Sequence, residues 1–135
     1  MKLFLASSAQ ELSTREMVRK ALVEKGYDAT LLEGSPKPED GIVIVILTVD
    51  TTEEGLFSSL PWLKEQFSRS SYRGFRLMPF FVYDSKVIDP EEAFEGNVGE
   101  VYENVFSGEF KPFGYDTSDK NAFEEFDRIL DEYSE

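Results

Sequence analysis

Gly41 to Asp50, GIVIVILTVD, is an almost unbroken run of β-branched and aliphatic residues. Ile42, Ile44 and Ile46 fall on one side of an extended chain, and Val43, Val45 and Leu47 fall on the other. Successive strand residues point to opposite faces, so this run offers neither face to water. A strand that is apolar on both sides needs cover above and below, which helices on the two faces of a parallel sheet supply. The stretch therefore reads as the central strand of an α/β domain.

Upstream, Lys2 to Ala6 (KLFLA) reads as a short apolar strand ending in Ser7 and Ser8. Ser8-Ala-Gln-Glu11 and Ser13-Thr-Arg-Glu16 both have capping-box spacing, so a helix can start at either serine. Leu12, Met17, Val18, Ala21 and Leu22 continue it at near-helical spacing and Gly26 stops it. Tyr27 to Glu33 reads as the second strand. Gly34 to Asp40, GSPKPED, is a loop whose two prolines oppose a helix. It is too short for a crossover helix with its connections, so that helix is expected to be reduced or missing.

Downstream of the central strand, Asp50 to Gly55 is a polar loop. A helix is expected from Leu60 to Phe67, with Pro61 in its first turn. Phe75 to Tyr83, FRLMPFFVY, reads as the fourth strand. Asp89-Pro90-Glu91-Glu92 is a helix start, with Asp as N-cap and Pro at the first helical position. Gly96 and Gly99 interrupt that helix; Val98, Val101, Tyr102, Val105 and Phe106 resume it, and Gly108 ends it. Phe110 to Phe113 suits a short edge strand. A last helix, capped by Ser118 or Asp119, carries Ala122, Phe123, Phe126, Ile129, Leu130 and Tyr133 as one apolar stripe. This order matches a three-layer flavodoxin-like α/β sandwich: one domain over residues 1–135, a mostly parallel five-stranded sheet of order 2-1-3-4-5, and one crossover helix reduced or missing. A second plan also fits part of the chain. Met78-Pro79 before FFVYD, then SKVI and an acidic helix, resembles half of a thioredoxin-like domain, which would give the central strand an antiparallel neighbour.

The 135 residues carry 27 acidic and 14 basic side chains, a net charge of −13, concentrated in the second half. Such a field repels phosphate backbones and anionic lipid, so neither nucleic acid nor a membrane surface is an expected partner. No apolar run approaches the roughly 18 residues of a membrane span, and MKLFLASS is too short for a secretory signal, so the cytoplasm is the expected compartment. With no cysteine, disulfides, thiol nucleophiles and cysteine metal sites are excluded. With no histidine, the commonest general base and transition-metal ligand is gone, and chemistry falls to carboxylates, hydroxyls and lysines. No metal site is expected.

Sheets of this order bind ligands beyond the C-terminal strand ends, beside the switch point between strands one and three. Ser7, Ser8, Asp50, Thr51, Thr52, Asp84 and Ser85 are expected around one crevice there. Asp50 at a strand end and Lys111 before Pro112 fit a phosphorelay receiver, but Ser7 and Ser8 stand where the acidic pair for magnesium would be. Trp62 or Tyr83 could stack on the ring of FMN, yet Ser7 to Thr14, SSAQELST, has no glycine with which to cradle its phosphate.

Several segments resemble Toll/interleukin-receptor (TIR) domains. LFLASS with its following helix is similar to the first TIR strand, and IVIVILTVDTT to the strand that ends in a serine or threonine loop. LMPFFVYDSKVIDPEEAFEGNVGEVYENVF is similar to the later proline-containing strand, turn and Gly-aromatic helix. The resemblance implies a protein-interaction or signalling module with a protein partner and a nucleotide-binding crevice. The alternative is an FMN- or NAD-using flavodoxin-like electron carrier or enzyme. TIR enzymes that cleave NAD use a glutamate four residues after a tryptophan, so the resemblance points to Glu65, three after Trp62, as the catalytic candidate. The helix pattern argues the other way: Leu60, Leu63 and Phe67 claim the buried face, which leaves Glu65 toward solvent and Glu65→Gln silent.

Overall fold

A computed structural model describes residues 2–36, 41–63, 76–106 and 112–134. Its five strands are β1 (Lys2–Ala6), β2 (Asp28–Leu31), β3 (Ile42–Leu47), β4 (Arg76–Tyr83) and β5 (Phe113–Asp116). They form one sheet in the order β2-β1-β3-β4-β5, and every neighbouring pair is parallel. The central strand therefore has β1 on one side and β4 on the other, both parallel, which excludes the thioredoxin-like plan.

All six residues of β3 are buried, and its two faces open on separate cores. Ile42, Ile44 and Ile46 meet Val18 and Leu22 of α1 (Leu12–Glu24) and Phe126, Ile129 and Leu130 of α5 (Phe126–Ser134). Val43, Val45 and Leu47 meet Leu56 of α2 (Glu53–Ser59), then Leu60, Trp62 and Leu63, and Val98, Val101 and Val105 of α4 (Asn97–Phe106). Right-handed crossovers require this division. The chain moves one way from β1 to β2 and the other way from β3 to β5, so the two sets of helices land on opposite faces. β3 enters the sheet through Gly41, where a Cβ would lie 2.2 Å from the Lys2 carbonyl oxygen; only glycine lets the two backbones approach so closely.

Four local readings are corrected by tertiary context. The polar loop read from Asp50 to Gly55 gives way at Glu53 to a helix of its own, capped by the Thr52 hydroxyl, which accepts from the Gly55 N–H at 3.0 Å. It ends at Ser59; the helix expected from Leu60 is present as residues 61–63, with Pro61 in its first turn, and residues 64–67 lie outside the described residues. Neither Ser8 nor Ser13 makes a cap: Ala9–Glu11 is a 3-10 turn leading into α1, with no side-chain cap at its start. The fifth strand is Phe113–Asp116, three residues later than read, because pairing with Phe80–Tyr83 fixes its register. That pairing starts one residue past Pro79, so among the described residues proline's missing donor falls where β4 has only β3 as a partner.

The final helix is likewise shorter than its stripe. Residues 120–125 form turns, with hydrogen bonds from Ala122 to Asp119, Glu124 to Asn121 and Phe126 to Phe123, and the regular helix begins at Phe126. The stripe still docks. Phe126 is fully buried among the rings of Tyr27, Phe80, Phe113 and Phe123. The Tyr27 hydroxyl donates to Asp127 of the same helix, and burial together with that carboxylate pushes Tyr27 up to about 12. Pro90–Glu95 is helical as read (α3), with the Asp89 carboxylate accepting from the Glu91 N–H at 2.9 Å, and Gly96 separates it from α4. The described part of the β2–β3 connection, residues 32–36 and 41, contains no helix; residues 37–40 lie outside the described residues.

Candidate functional site

A cleft of about 470 Å³ opens at the C-terminal end of β1, on the face that carries α2. Three connections form its walls. After β1 come Ser7, Ala9, Leu12 and Arg15; after β2 come Leu32, Gly34 and Ser35; from the end of α2 come Ser59, Leu60, Pro61 and Trp62. Backbone bonding fixes the walls relative to each other. The Leu32 N–H donates to the Leu5 carbonyl at 2.9 Å, extending the β1–β2 ladder into the cleft, and the Ala9 N–H donates to Ser59 Oγ at 2.9 Å. Gly34 turns the chain after β2 with φ +71°, a conformation that suits glycine.

Beside the cleft, the switch point between β1 and β3 is filled by protein. Glu11 is only 3% exposed, and its Oε1 accepts from Thr51 Oγ1 at 2.8 Å and from Thr48 Oγ1 at 3.3 Å. Thr51 in turn accepts the Thr48 N–H at 2.8 Å, so the loop after β3 closes on itself and is stapled to the start of α1. The cluster is incompletely satisfied. Glu11 Oε2 and the buried hydroxyl of Ser8 make no hydrogen bond, and neither does the buried Nε of Arg15.

The seven residues expected around one crevice are divided by the structure. Ser7 lines the cleft, its hydroxyl donating to the Ser8 carbonyl at 2.9 Å. Ser8 and Thr51 are buried, and Thr51 joins the Glu11 cluster. Asp50 is exposed, with its N–H on Thr48 Oγ1 at 3.2 Å, and Thr52 serves as the α2 cap. Asp84 and Ser85 belong to another knot, at the ends of β4 and β5. There Asp116 Oδ1 accepts from the Ser85 N–H, the Ser118 N–H and the Ser118 hydroxyl at 3.1, 3.0 and 2.7 Å, and the two serine hydroxyls meet at 2.9 Å. Burial pushes the Asp116 carboxyl up, but these donors outweigh it and hold the group down at about 2. Asp84 closes its own turn by accepting the Lys86 N–H at 2.9 Å. Tyr83 packs on Phe81 from the face opposite α1, and Lys111 and Glu65 lie outside the described residues.

Glu11, Thr48 and Arg15 were not legible as site residues. Glu11 reads as the third position of a capping box, a local role that hides its long-range partners. The usable signal was Arg15 four residues after Glu11, which puts both on the end of α1 nearest the β1 loop.

No family model matches this chain, and no curated protein matches it. Among solved structures, it is similar to the TIR domains in the structure of the activated Roq1 resistosome directly recognizing the pathogen effector XopQ. The identity is 15%, over 98% of this chain and 79% of that one, with a TM-score of 0.37. That protein carries the domain type that the sequence resembles; the fold assignment itself rests on strand order and register. No helix among the described residues is long and apolar enough to cross a membrane, and no three acidic side chains among them gather as a metal site.

Proposed function

We propose that this chain is a TIR-like interaction or signalling module whose cleft at the end of β1 takes a nucleotide, with NAD as the reference ligand. The observation that carries this reading is the cleft's lining. In a chain with 27 acidic residues against 14 basic ones, the described lining residues include one arginine and no carboxylate. A second groove, of about 450 Å³ along α3 and α4, has the opposite character, with Glu95, Glu100 and Glu103 in its wall. A nucleotide needs a polar side for ribose, an apolar side for a base, and relief from negative charge. Ser7, Ser35 and Ser59 supply the first, and Leu12, Leu32, Leu60 and Trp62 the second. The volume lies within the roughly 300–1,000 Å³ usual for small-molecule sites.

The reading is of binding rather than turnover. Cleaving the nicotinamide bond requires a carboxylate where the ribose cation develops, and the candidate for it, Glu65, lies outside the described residues. Trp62, the chain's single tryptophan, reports on the cleft directly. Titration with NAD is expected to change its fluorescence saturably, and light scattering on the same samples follows any ligand-driven association. Tryptophan emission unmoved by millimolar NAD would overturn the nucleotide reading, and a response to FMN alone would transfer it to the electron-carrier class.

A further inference from the structure

We propose that Arg15 is the anchor for a phosphate group in this cleft, so that the site selects phosphorylated ligands over neutral nucleosides. The inference rests on the nucleotide reading above and adds which residue holds which end of the ligand. Arg15 lines the cleft half-buried; its Nε is buried and donates to nothing. An unpaired buried N–H on a cation costs more than a neutral one, so such a group is retained where an acceptor comes to it.

The nearby carboxylates do not serve. Glu11, one turn earlier, spends Oε1 on Thr48 and Thr51, and makes no ion pair with Arg15. Glu16 is taken by Arg19, which closes a bidentate pair with it. Of two arginines one turn apart on α1, one is neutralised within the helix and the other faces the cleft with its guanidinium free to bind. A guanidinium matches the geometry of phosphate oxygens through paired N–H donors. Ser7, Ser35 and Ser59 line the same cleft and offer hydroxyls for the remaining oxygens. Long-range repulsion from a chain of charge −13 is screened beyond roughly 8 Å at physiological salt, whereas contact with Arg15 is not.

The test is calorimetric titration of the full chain with three probes: inorganic pyrophosphate, adenosine and AMP. AMP is expected to bind at least about tenfold more tightly than adenosine, the size of a charge-assisted contact. In Arg15→Gln that preference is expected to fall to within about threefold and pyrophosphate binding to vanish, while Arg15→Lys keeps part of both as a point charge without the fork. Thermal melts of both variants verify folding, and the lysine variant carries the test if the glutamine variant melts early. Equal affinity for AMP and adenosine would overturn the anchor and leave the nucleotide reading standing. Pyrophosphate binding that Arg15→Gln abolishes, with no response to adenosine, would support the anchor and remove the base-binding half of that reading. Pyrophosphate and AMP binding unaltered in Arg15→Gln, or no binding of either, would overturn the anchor outright.

Discussion

Two polar clusters crown the C-terminal edge of the sheet, and they are finished to different degrees. At the β4–β5 end, Asp116 collects three donors from Ser85 and Ser118, and the two hydroxyls bond each other. At the β1–β3 end, Glu11 is more deeply buried yet uses only one of its oxygens, and Ser8 and Arg15 leave buried polar atoms unbonded beside a cleft. Buried polar groups in folded proteins are nearly always satisfied, so a closed network is explained by stability alone. An open one calls for a further explanation. The contrast sets Asp84 and Ser85 in a closed network and leaves Ser7 and Arg15 on the cleft that the proposal above makes the binding surface.

That division can be stressed by mutation. The β4–β5 end stands on the ring cluster around Phe126, which has no exposed surface. Phe126→Ala should therefore give the largest loss, about 3–5 kcal/mol by denaturant titration, as for other buried rings cut to a methyl. A loss under about 1 kcal/mol would mean that α5 docks loosely and that this end is not the rigid one.

Removing the Asp116 carboxylate comes next. Asp116→Ala should cost about 1–2 kcal/mol, the upper figure discounted because solvent reaches the group. Its pH signature has a definite sign. The folded-state value is depressed from 3.8 to about 2, so the contribution is fully present above about pH 4 and is lost as pH falls toward 2. Asp116→Asn should flatten the stability profile in that window and nowhere else. An unchanged slope between pH 4 and 2 would contradict the closed network.

The smallest effect is expected at Glu11, despite its burial. Glu11→Gln keeps an oxygen for Thr48 and Thr51, and the atom it replaces has no hydrogen bond, so stability should change by less than about 1 kcal/mol. A loss above about 2 kcal/mol would show that the cluster is as structurally committed as the one at Asp116.

The sheet was legible because one segment had only one solution. Six consecutive apolar residues in β3 demand helices on both faces, and parallel pairing with β1 and β4 follows. What local patterns misplaced were boundaries that distant partners decide. The stripe from Ala122 to Tyr133 is continuous in sequence, but Asp119 and its turn hold the chain out of a regular helix until Phe126. Phe110 to Phe113 has strand composition, yet the strand is set where Phe80 to Tyr83 offer a ladder. The candidate site was legible to the level of the strand ends and no further. Topology put Asp84 and Ser85 with Ser7, because all three follow C-terminal strand ends, whereas side-chain bonding separates them into two clusters. Glu11 and Arg15 gain their surroundings only when the β3–α2 loop and the end of α2 close over α1.

The most direct test of the division is an amide chemical-shift titration of the full chain with NAD, read residue by residue. Saturable shifts are expected at Ala9, Leu32, Gly34, Ser35 and Trp62 around the cleft, with Ser85, Asp116 and Ser118 unmoved. Shifts that gather at Ser85, Asp116 and Ser118 and spare the cleft would contradict that division.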